Sequence, residues 1–350
     1  MAKKILILGA SYGSLLGTKL LMAGHDVTLV CRRATADLIN SKGTVVKLKL
    51  RDEDSHRAIA SGDLPGKVNA VTPEEADPAA YDLVALAMQE PQYGADSIRD
   101  LLARTAAARV PCLSIMNMPP LPYLRRIPAL RDVPLAQCFT APEVWDGFDP
   151  DLVTLCSPDP QAFRPPEEEA NVLFVGLPTN FKAAAFADAG HNALLQQLQD
   201  DIAAVTLDGK DVPVKLKLHD SLFVPLAKWS MLLTGNYRCI TRGGVRPIRE
   251  AVHGDLNASA AIYAYVDALA RKLGADAADQ VPFEKYSNAA QNLLKPSSAA
   301  RAIDAGAQQI ERVDMVVQAI GSAIGEGSAE VDETVDIVNA RLHANRSVAA

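Results

Sequence analysis

The apolar positions of the chain fall into two regimes. In the first third they come as short, mainly apolar runs: Ile5-Leu6-Ile7-Leu8, Val27 to Val30, Tyr81 to Ala87 with Asp82 at its entry, and Pro111 to Met116. Runs that short, with a glycine or polar stop behind them, read as strands buried on both faces, as in a parallel sheet. Between them the spacing changes to helical: Leu15, Leu16, Leu20 and Leu21, and again from Ala95 to Ala108. Ala34 to Asn40 reads as a further short helix and Thr44 to Leu50 as an alternating strand. Asp52 to Val68 is polar and loop-like, and Val68 to Val71 is another short strand.

From Pro119 to Ala185 the pattern turns to short strand-like pieces broken by prolines, including Leu135 to Phe139, Leu152 to Leu155 and Asn171 to Gly176. These read as the far side of the same sheet, with an antiparallel contribution. Asn192 to Ala204 is a helix, and Val212 to Leu218 is strand-like or a linker. Beyond it the spacing is helical: Ser221 to Leu233, Val245 to Ala251, Ala258 to Leu273, Phe283 to Leu294, Ser298 to Ile324 and Val331 to His343. Asp255 and Pro296-Ser297 are start signals and Gly274 a stop. The expected fold class is α/β, a Rossmann-type doubly wound sheet followed by an all-α domain. The domains expected are a dinucleotide-binding one over 1–211 and a helical substrate and catalytic one over 212–350.

Strand, glycine turn, helix and strand within about 30 residues make up the dinucleotide-binding βαβ unit. Its fingerprint, G-x-G-x-x-G, is incomplete here: Gly9 makes the turn, Gly13 and Gly17 allow close helix packing, and Ser11 stands near the middle glycine's place. The plain alternative is a glycine-punctuated βα turn of any α/β protein. If the unit binds a dinucleotide, Gly9, Ser11, Tyr12 and Gly13 supply the pyrophosphate backbone contacts. Strand ends at Gly9, Arg32, Met88 and Asn117 are the candidate ligand positions, because open α/β sheets bind ligands there.

Composition narrows the partners. The 350 residues are 49% hydrophobic and 22% charged, and the net charge is −7 without a basic cluster, which argues against nucleic acid or an anionic membrane surface. Five cysteines, Cys31, Cys112, Cys138, Cys156 and Cys239, are scattered and never spaced C-x-x-C. That spacing argues for a reducing compartment and against a disulfide framework or a zinc cage. No apolar run approaches the roughly 20 residues that span a bilayer, and Met-Ala-Lys-Lys runs straight into the first strand. A soluble cytoplasmic protein is expected.

With these pieces in order, the chain resembles the ketopantoate reductase family (2-dehydropantoate 2-reductase), within the 6-phosphogluconate-dehydrogenase-like enzymes. The segments that carry the resemblance are ILGASYGSLLGTKLLMAGHDVTLVCRR at the start, DLVALAMQEPQ and SIMN at two strand ends, AKWSMLLTGN, and SSAARAIDAGAQQIERVD near the end. The resemblance implies NADP(H)-dependent reduction of a 2-keto acid, in the setting of pantothenate biosynthesis. It implies Lys228 as general acid, giving a proton to the carbonyl oxygen as hydride reaches the carbon. That chemistry is reasonable for an ammonium beside a forming alkoxide. Asn117 would stand near substrate and nicotinamide, Asn236 and Ser298 would bind substrate, and Glu311 would contact substrate and help to position the lysine.

Each of these has a plainer reading. Lys228 sits among Leu222, Leu226, Trp229 and Leu233, where a lysine is ordinarily a solvated helix charge. Asn236 lies eight residues on, roughly 80° round an α-helix and about 12 Å along it, and Gly235-Asn236 also looks like a helix stop. Asn117 suits an Asx turn before Pro119-Pro120, and Ser298 a helix N-cap. Glu311 falls one residue later than the resemblance implies, leaving Ile310 at the site if no gap is allowed, and it lies beside Arg312 and Asp314 on a polar helix face. Arg32 stands where the adenosine ribose is read, and an arginine there accommodates the 2′-phosphate of NADP; the alternative is a solvent-facing pair with Arg33.

Three departures separate the chain from the family pattern. The glycine loop is a residue short and lacks its middle glycine, Gln89 stands where many members have a lysine near cofactor and substrate, and TAPEVWDGF (Thr140 to Phe148) is unusual, with Trp145 placed to reshape the pocket. Two rival functions follow. One is an opine-type dehydrogenase joining a keto acid to an amine, which would call on a histidine, with His219, His253 and His343 as helical-domain candidates. The other is a non-catalytic NADP(H)-binding sensor. A homodimer is a further expectation.

Overall fold

The computed structural model describes residues 1–349. The short apolar runs form strands, with glycine turns and amphipathic helices between them. In chain order these are β1 (Lys4–Leu8), α1 (Gly13–Met22), β2 (Asp26–Val30), α2 (Arg33–Lys42), β3 (Val45–Leu48), β4 (Arg57–Ala60), β5 (Val68–Val71) and β6 (Leu83–Leu86). Then come α3 (Asp96–Ala108), β7 (Cys112–Ile115), the single turn α4 (Leu121–Leu124), β8 (Val153–Ser157), β9 (Gln161–Phe163), β10 (Val172–Leu177) and β11 (Phe181–Ala184). Helix α5 (Ala189–Ala204), the ribbon strands β12 (Thr206–Leu207) and β13 (Lys210–Asp211), and β14 (Leu216–His219) complete this part.

Eight of these strands form one sheet in the order β14-β11-β8-β7-β6-β1-β2-β5. β1, β2, β5, β6, β7 and β8 run parallel, while β11 pairs antiparallel with β8 and parallel with β14. The chain moves from β1 outward through β2 to β5, then returns to the other side of β1 with β6. The order therefore reverses at the ends of β1 and β6, which is the switch point where such sheets bind ligands. Ile5 to Leu8 and Leu83 to Leu86 are all fully buried there, as strands covered on both faces must be.

Three expectations are corrected. The strand at 172–177 leaves the main sheet for a second, four-stranded one, β4-β3-β10-β9, with Val172 in register with Val45. This sheet also takes Arg57–Ala60 from the stretch expected as loop. Leu135 to Cys138 is a 3-10 turn rather than a strand, entered directly from Pro134.

The chain forms two compact units. The first is Met1–Met88, Gln92–Tyr123 and Glu143–Asp220; the second is Gln89–Pro91, Leu124–Pro142 and Ser221 onward. Leu216 to His219 pair with Phe181 to Ala184, which keeps them with the sheet of the first unit. His219 is therefore a strand residue.

The second unit is helical: α6 (Lys228–Met231), α7 (Ile248–His253), α8 (Leu256–Lys272), α9 (Phe283–Ala290), α10 (Ser298–Asp304), α11 (Val313–Ala323) and α12 (Ala329–Ala349). It includes one small ribbon, β15 (Ile240–Thr241) with β16 (Gly244–Val245). The expected helix over 298–324 is two helices. It breaks at Gly306, which adopts φ +89 after α10, and resumes only at Val313.

Candidate active site

Candidate residues occur in both units.

In the first unit the glycine loop follows β1. Gly9 has φ +106, and a Cβ there would stand 2.7 Å from the carbonyl oxygen of Ala87 at the end of β6. Both facts exclude other residues, so the turn at the switch point requires this glycine. A Cβ on Gly13 would meet Ile7 Cγ2 at 2.6 Å, so α1 sits directly on β1. Gly17 is less demanding, since its added Cβ would make only ordinary contact with Val27 Cγ1 at 3.4 Å.

Between the glycines, Ser11 is exposed, and Tyr12 is the N-cap without a side-chain capping bond. The Tyr12 hydroxyl instead donates to the carbonyl of Pro160 at 2.7 Å, and its ring stands edge-on to Phe181 with centroids 6.0 Å apart. Burial, with Cys156 and Asp159 nearby, holds its phenol well above the ordinary range. Tyr12 thus pins the loop from the side, while the first turn of α1 keeps backbone amides with no side-chain cap. Uncapped amides at a helix start favour an anion, which is what a dinucleotide's pyrophosphate requires. The residues present fit such a cofactor despite the missing middle glycine.

At the end of β2, Arg33 is paired with Glu75 at 2.6 Å on the surface. Arg32 is the exposed N-cap of α2 and is not the residue that Glu75 engages. Arg164, which follows β9, lies close enough to Arg32 and Cys31 to feel both. Its burial depresses the guanidinium's pKa first, and the positive charge of Arg32 adds to that. Asn117 is half-buried just past β7, at the same sheet edge as Gly9 and Met88. Trp145 is not a pocket residue. It is fully buried, with its ring packed on Tyr93 and Phe148 at 5.4 and 5.6 Å.

In the second unit Lys228 opens α6, half-buried between the buried Ala227 and Trp229. The run does not continue as an α-helix: Leu232–Asn236 is a π turn, in which the Tyr237 amide reaches back to the Leu232 carbonyl. A π turn absorbs one extra residue, so the eight-residue step from Lys228 to Asn236 turns only about 20° instead of about 80°. The two residues share a face. The expectation of an offset fails because the sequence spacing was counted on α geometry.

Asn236 and Tyr237, at the end of the π turn, are a junction. The Asn236 carbonyl accepts from Ser297 Oγ at 2.7 Å, and Ser297 also caps α10 by accepting from Ala300 N at 3.1 Å. The N-cap is therefore Ser297, and Ser298 is exposed in the first helical turn. The Tyr237 hydroxyl donates to the Glu311 carbonyl at 2.6 Å and accepts from Val313 N at 2.9 Å. Glu311 lies in the break between α10 and α11, not on a polar helix face, and is half-buried, whereas Ile310 is buried. Its Oε1 accepts from the backbone amide of Glu90 at 3.3 Å. Arg312 turns away into a fork on the fully buried Asp314, at 2.9 and 2.8 Å, and donates to Asn339 at 2.7 Å.

Sequence reading missed Glu90. Its carboxylate is buried and accepts from Thr140 N at 2.8 Å and Thr140 Oγ1 at 3.0 Å. Burial raises its pKa, and the Thr140 bonds oppose the rise. An acid after an exposed Gln89 gives no sequence signal of burial. Among the histidines, His253 Nε2 bonds the Ser287 carbonyl at 2.9 Å between helices, and His343 is exposed on α12.

Comparison with known proteins agrees with this architecture. Residues 5–117 match the sequence profile of the family described as ketopantoate reductase PanE/ApbA. No curated protein sequence matches the chain. A candidate ketopantoate reductase from Ralstonia solanacearum MolK2 superimposes with a TM-score of 0.70 at 18% identity, over 99% of both chains. D-mandelate dehydrogenase, in a ternary structure with NADH and anilino(oxo)acetate, gives 0.65 at 14% identity, over 98% of this chain and 99% of that one. A ketopantoate reductase from Staphylococcus aureus, described as dimeric, gives 0.62 at 13% identity over the same shares. Residues 5–117 carry the ketopantoate reductase PanE/ApbA sequence pattern, and the chain as a whole has the fold of ketopantoate reductases of known structure.

Proposed function

We propose that the protein is an NADP(H)-dependent reductase of a 2-keto acid in which Lys228 is the general acid. The observation that carries this reading is the π turn: it places Lys228 and Asn236 on one face and ties its own end to the segments that hold Ser298 and Glu311. The bound nicotinamide supplies the hydride. The chain's residues do the rest. The backbone of Gly9, Ser11, Tyr12 and Gly13 holds the pyrophosphate, and Arg32 takes the ribose 2′-phosphate. Gln89 and Asn117 lie toward the nicotinamide. Lys228 Nζ holds a proton and gives it to the substrate's carbonyl oxygen as negative charge develops there. Asn236 and Ser298 bind substrate, and Glu311 contacts it and orients the lysine.

The same reading assigns cofactor binding to residues up to 211 and substrate binding to the remainder, and it makes pantothenate biosynthesis the setting. The scattered placement of the five cysteines, never spaced C-x-x-C, supports a reducing, cytoplasmic location. None of the described helices is long and apolar enough to cross a membrane. A homodimer is proposed by analogy with the S. aureus protein, which is described as dimeric. NADP(H) is chosen over NAD(H) on Arg32, although D-mandelate dehydrogenase holds NADH.

The test is oxidation of NADPH and of NADH against ketopantoate and a panel of other 2-keto acids, with and without amines. Turnover with a keto acid alone and preference for NADPH are expected. Turnover only with an amine would replace this reading by the opine-type one, and tight NADPH binding with no turnover by the sensor.

A further inference from the structure

We infer that Tyr237 is a positioning residue that sets the Glu311 carboxylate from the end of the lysine-bearing run. The inference rests on the reductase reading and adds a residue to it.

Glu311 lies in an irregular link, where no helix or strand ladder fixes its main chain. A side chain carried on such a link needs other restraints to hold one orientation. One phenol provides them on both sides: Tyr237 Oη donates to the Glu311 carbonyl at 2.6 Å and accepts from Val313 N at 2.9 Å. Tyr237 is itself 3% exposed and follows directly on the π turn that begins four residues after Lys228. The link is closed further along by the Arg312–Asp314 fork and Arg312–Asn339, so the backbone around Glu311 has little freedom except at the tyrosine. The side chain then meets the Glu90 amide at 3.3 Å, and Glu90 is in turn held by Thr140. Burial keeps the Tyr237 phenol well above its ordinary pKa, so it remains a donor through the working range.

The chain of contacts makes Tyr237 act through Glu311 and not on substrate. Removing only its hydroxyl frees the Glu311 carbonyl and the Val313 amide while leaving the ring in the core.

The experiment is a double-mutant cycle of Tyr237→Phe and Glu311→Gln, read as kcat, KM and the pH profile of kcat for NADPH oxidation with the best 2-keto acid of the panel. Folding is checked by near-UV circular dichroism and cofactor affinity by NADPH fluorescence. Tyr237→Phe is expected to lower kcat about tenfold, the scale of a lost buried hydrogen bond, to shift the acid limb of the pH profile, and to leave NADPH affinity unchanged. In the Glu311→Gln background the same change is expected to cost less than about twofold, because the group it positions is gone. Equal losses in both backgrounds, an unchanged pH profile, or a Tyr237→Phe protein that does not fold would overturn the inference. Near-normal kcat in Glu311→Gln alone would instead remove Glu311 from the reductase reading, and no turnover by the unaltered enzyme would remove the reading itself.

Discussion

Tyr286 Oη occupies the position that a side chain on Gly235 would need: a Cβ built there stands 1.9 Å away. The same hydroxyl donates to the Met231 carbonyl at 3.1 Å, one residue before the π turn begins. A wide turn leaves carbonyls without their α-helical partner, and Tyr286 serves this one. Gly235→Ala must therefore push the tyrosine aside, at an overpacking cost of about 1–3 kcal/mol. Its expected outcome is a lower urea midpoint together with reduced kcat, since the alignment of Lys228 with Asn236 depends on the turn. Tyr286→Phe in the same chain removes the clashing atom and is expected to recover part of the stability. Additive losses in urea unfolding would disprove the coupling.

Lys228→Ala tests the proton donor. Loss of a general acid typically lowers kcat by about 10²–10⁴, and NADPH affinity is expected to stay within about threefold because Lys228 has no assigned role in cofactor binding. Lys228→Arg keeps the charge but gives up a readily released proton, so it should not restore turnover. Steady-state kinetics with a cofactor titration separates these outcomes.

Arg32 tests cofactor choice. Replacing it with alanine is expected to weaken NADPH binding about tenfold or more, since a charge-assisted contact to phosphate is worth about 1.5–3 kcal/mol. NADH binding should change less than about twofold. Arg33, engaged by Glu75, is the control, and its replacement should leave both cofactors nearly unaffected. Fluorescence titration with each cofactor gives the comparison, and equal loss for both would make Arg32 an incidental charge.

Lys19 gives a pH dependence of stability. Its amine is fully buried on α1 and bonds the carbonyls of Val212 and Pro213 at 3.3 and 3.0 Å. Burial, with Lys215 nearby, lowers its pKa to about 7, against about 10.4 in the unfolded chain. Between those values the unfolded state binds the proton and the folded state does not, so this group makes stability rise with pH from about 7 and leaves it level below. Lys19→Met should lack that part of the rise between pH 7 and 8.5. Urea unfolding of both proteins across this interval is the measurement, and parallel curves would show that Lys19 titrates normally.

The local pattern of the sequence settled the nucleotide-type half of the molecule. Unbroken apolar runs such as Ile5 to Leu8 can be buried only in a covered sheet, and Gly9 had to make the turn after it. Those signals are local, so they survive without knowledge of the rest of the chain. The lysine-to-asparagine run was legible as residue types and spacing, but not as geometry. Whether eight residues turn 80° or 20° depends on one π turn, and Tyr286, from a distant helix, leaves room only for a glycine within it. Glu311 shows the same limit: periodicity continued a helix through it, and only Gly306 and the Tyr237 phenol reveal a link held from outside. Trp145 read as a pocket residue because an aromatic in a loop has no period to place it, and packing on Tyr93 and Phe148 put it in the core. Sequence by itself determined which segments bury their backbone and which residues can do chemistry. Tertiary structure alone decided which of those residues face one another, because that depends on contacts between groups far apart in the chain.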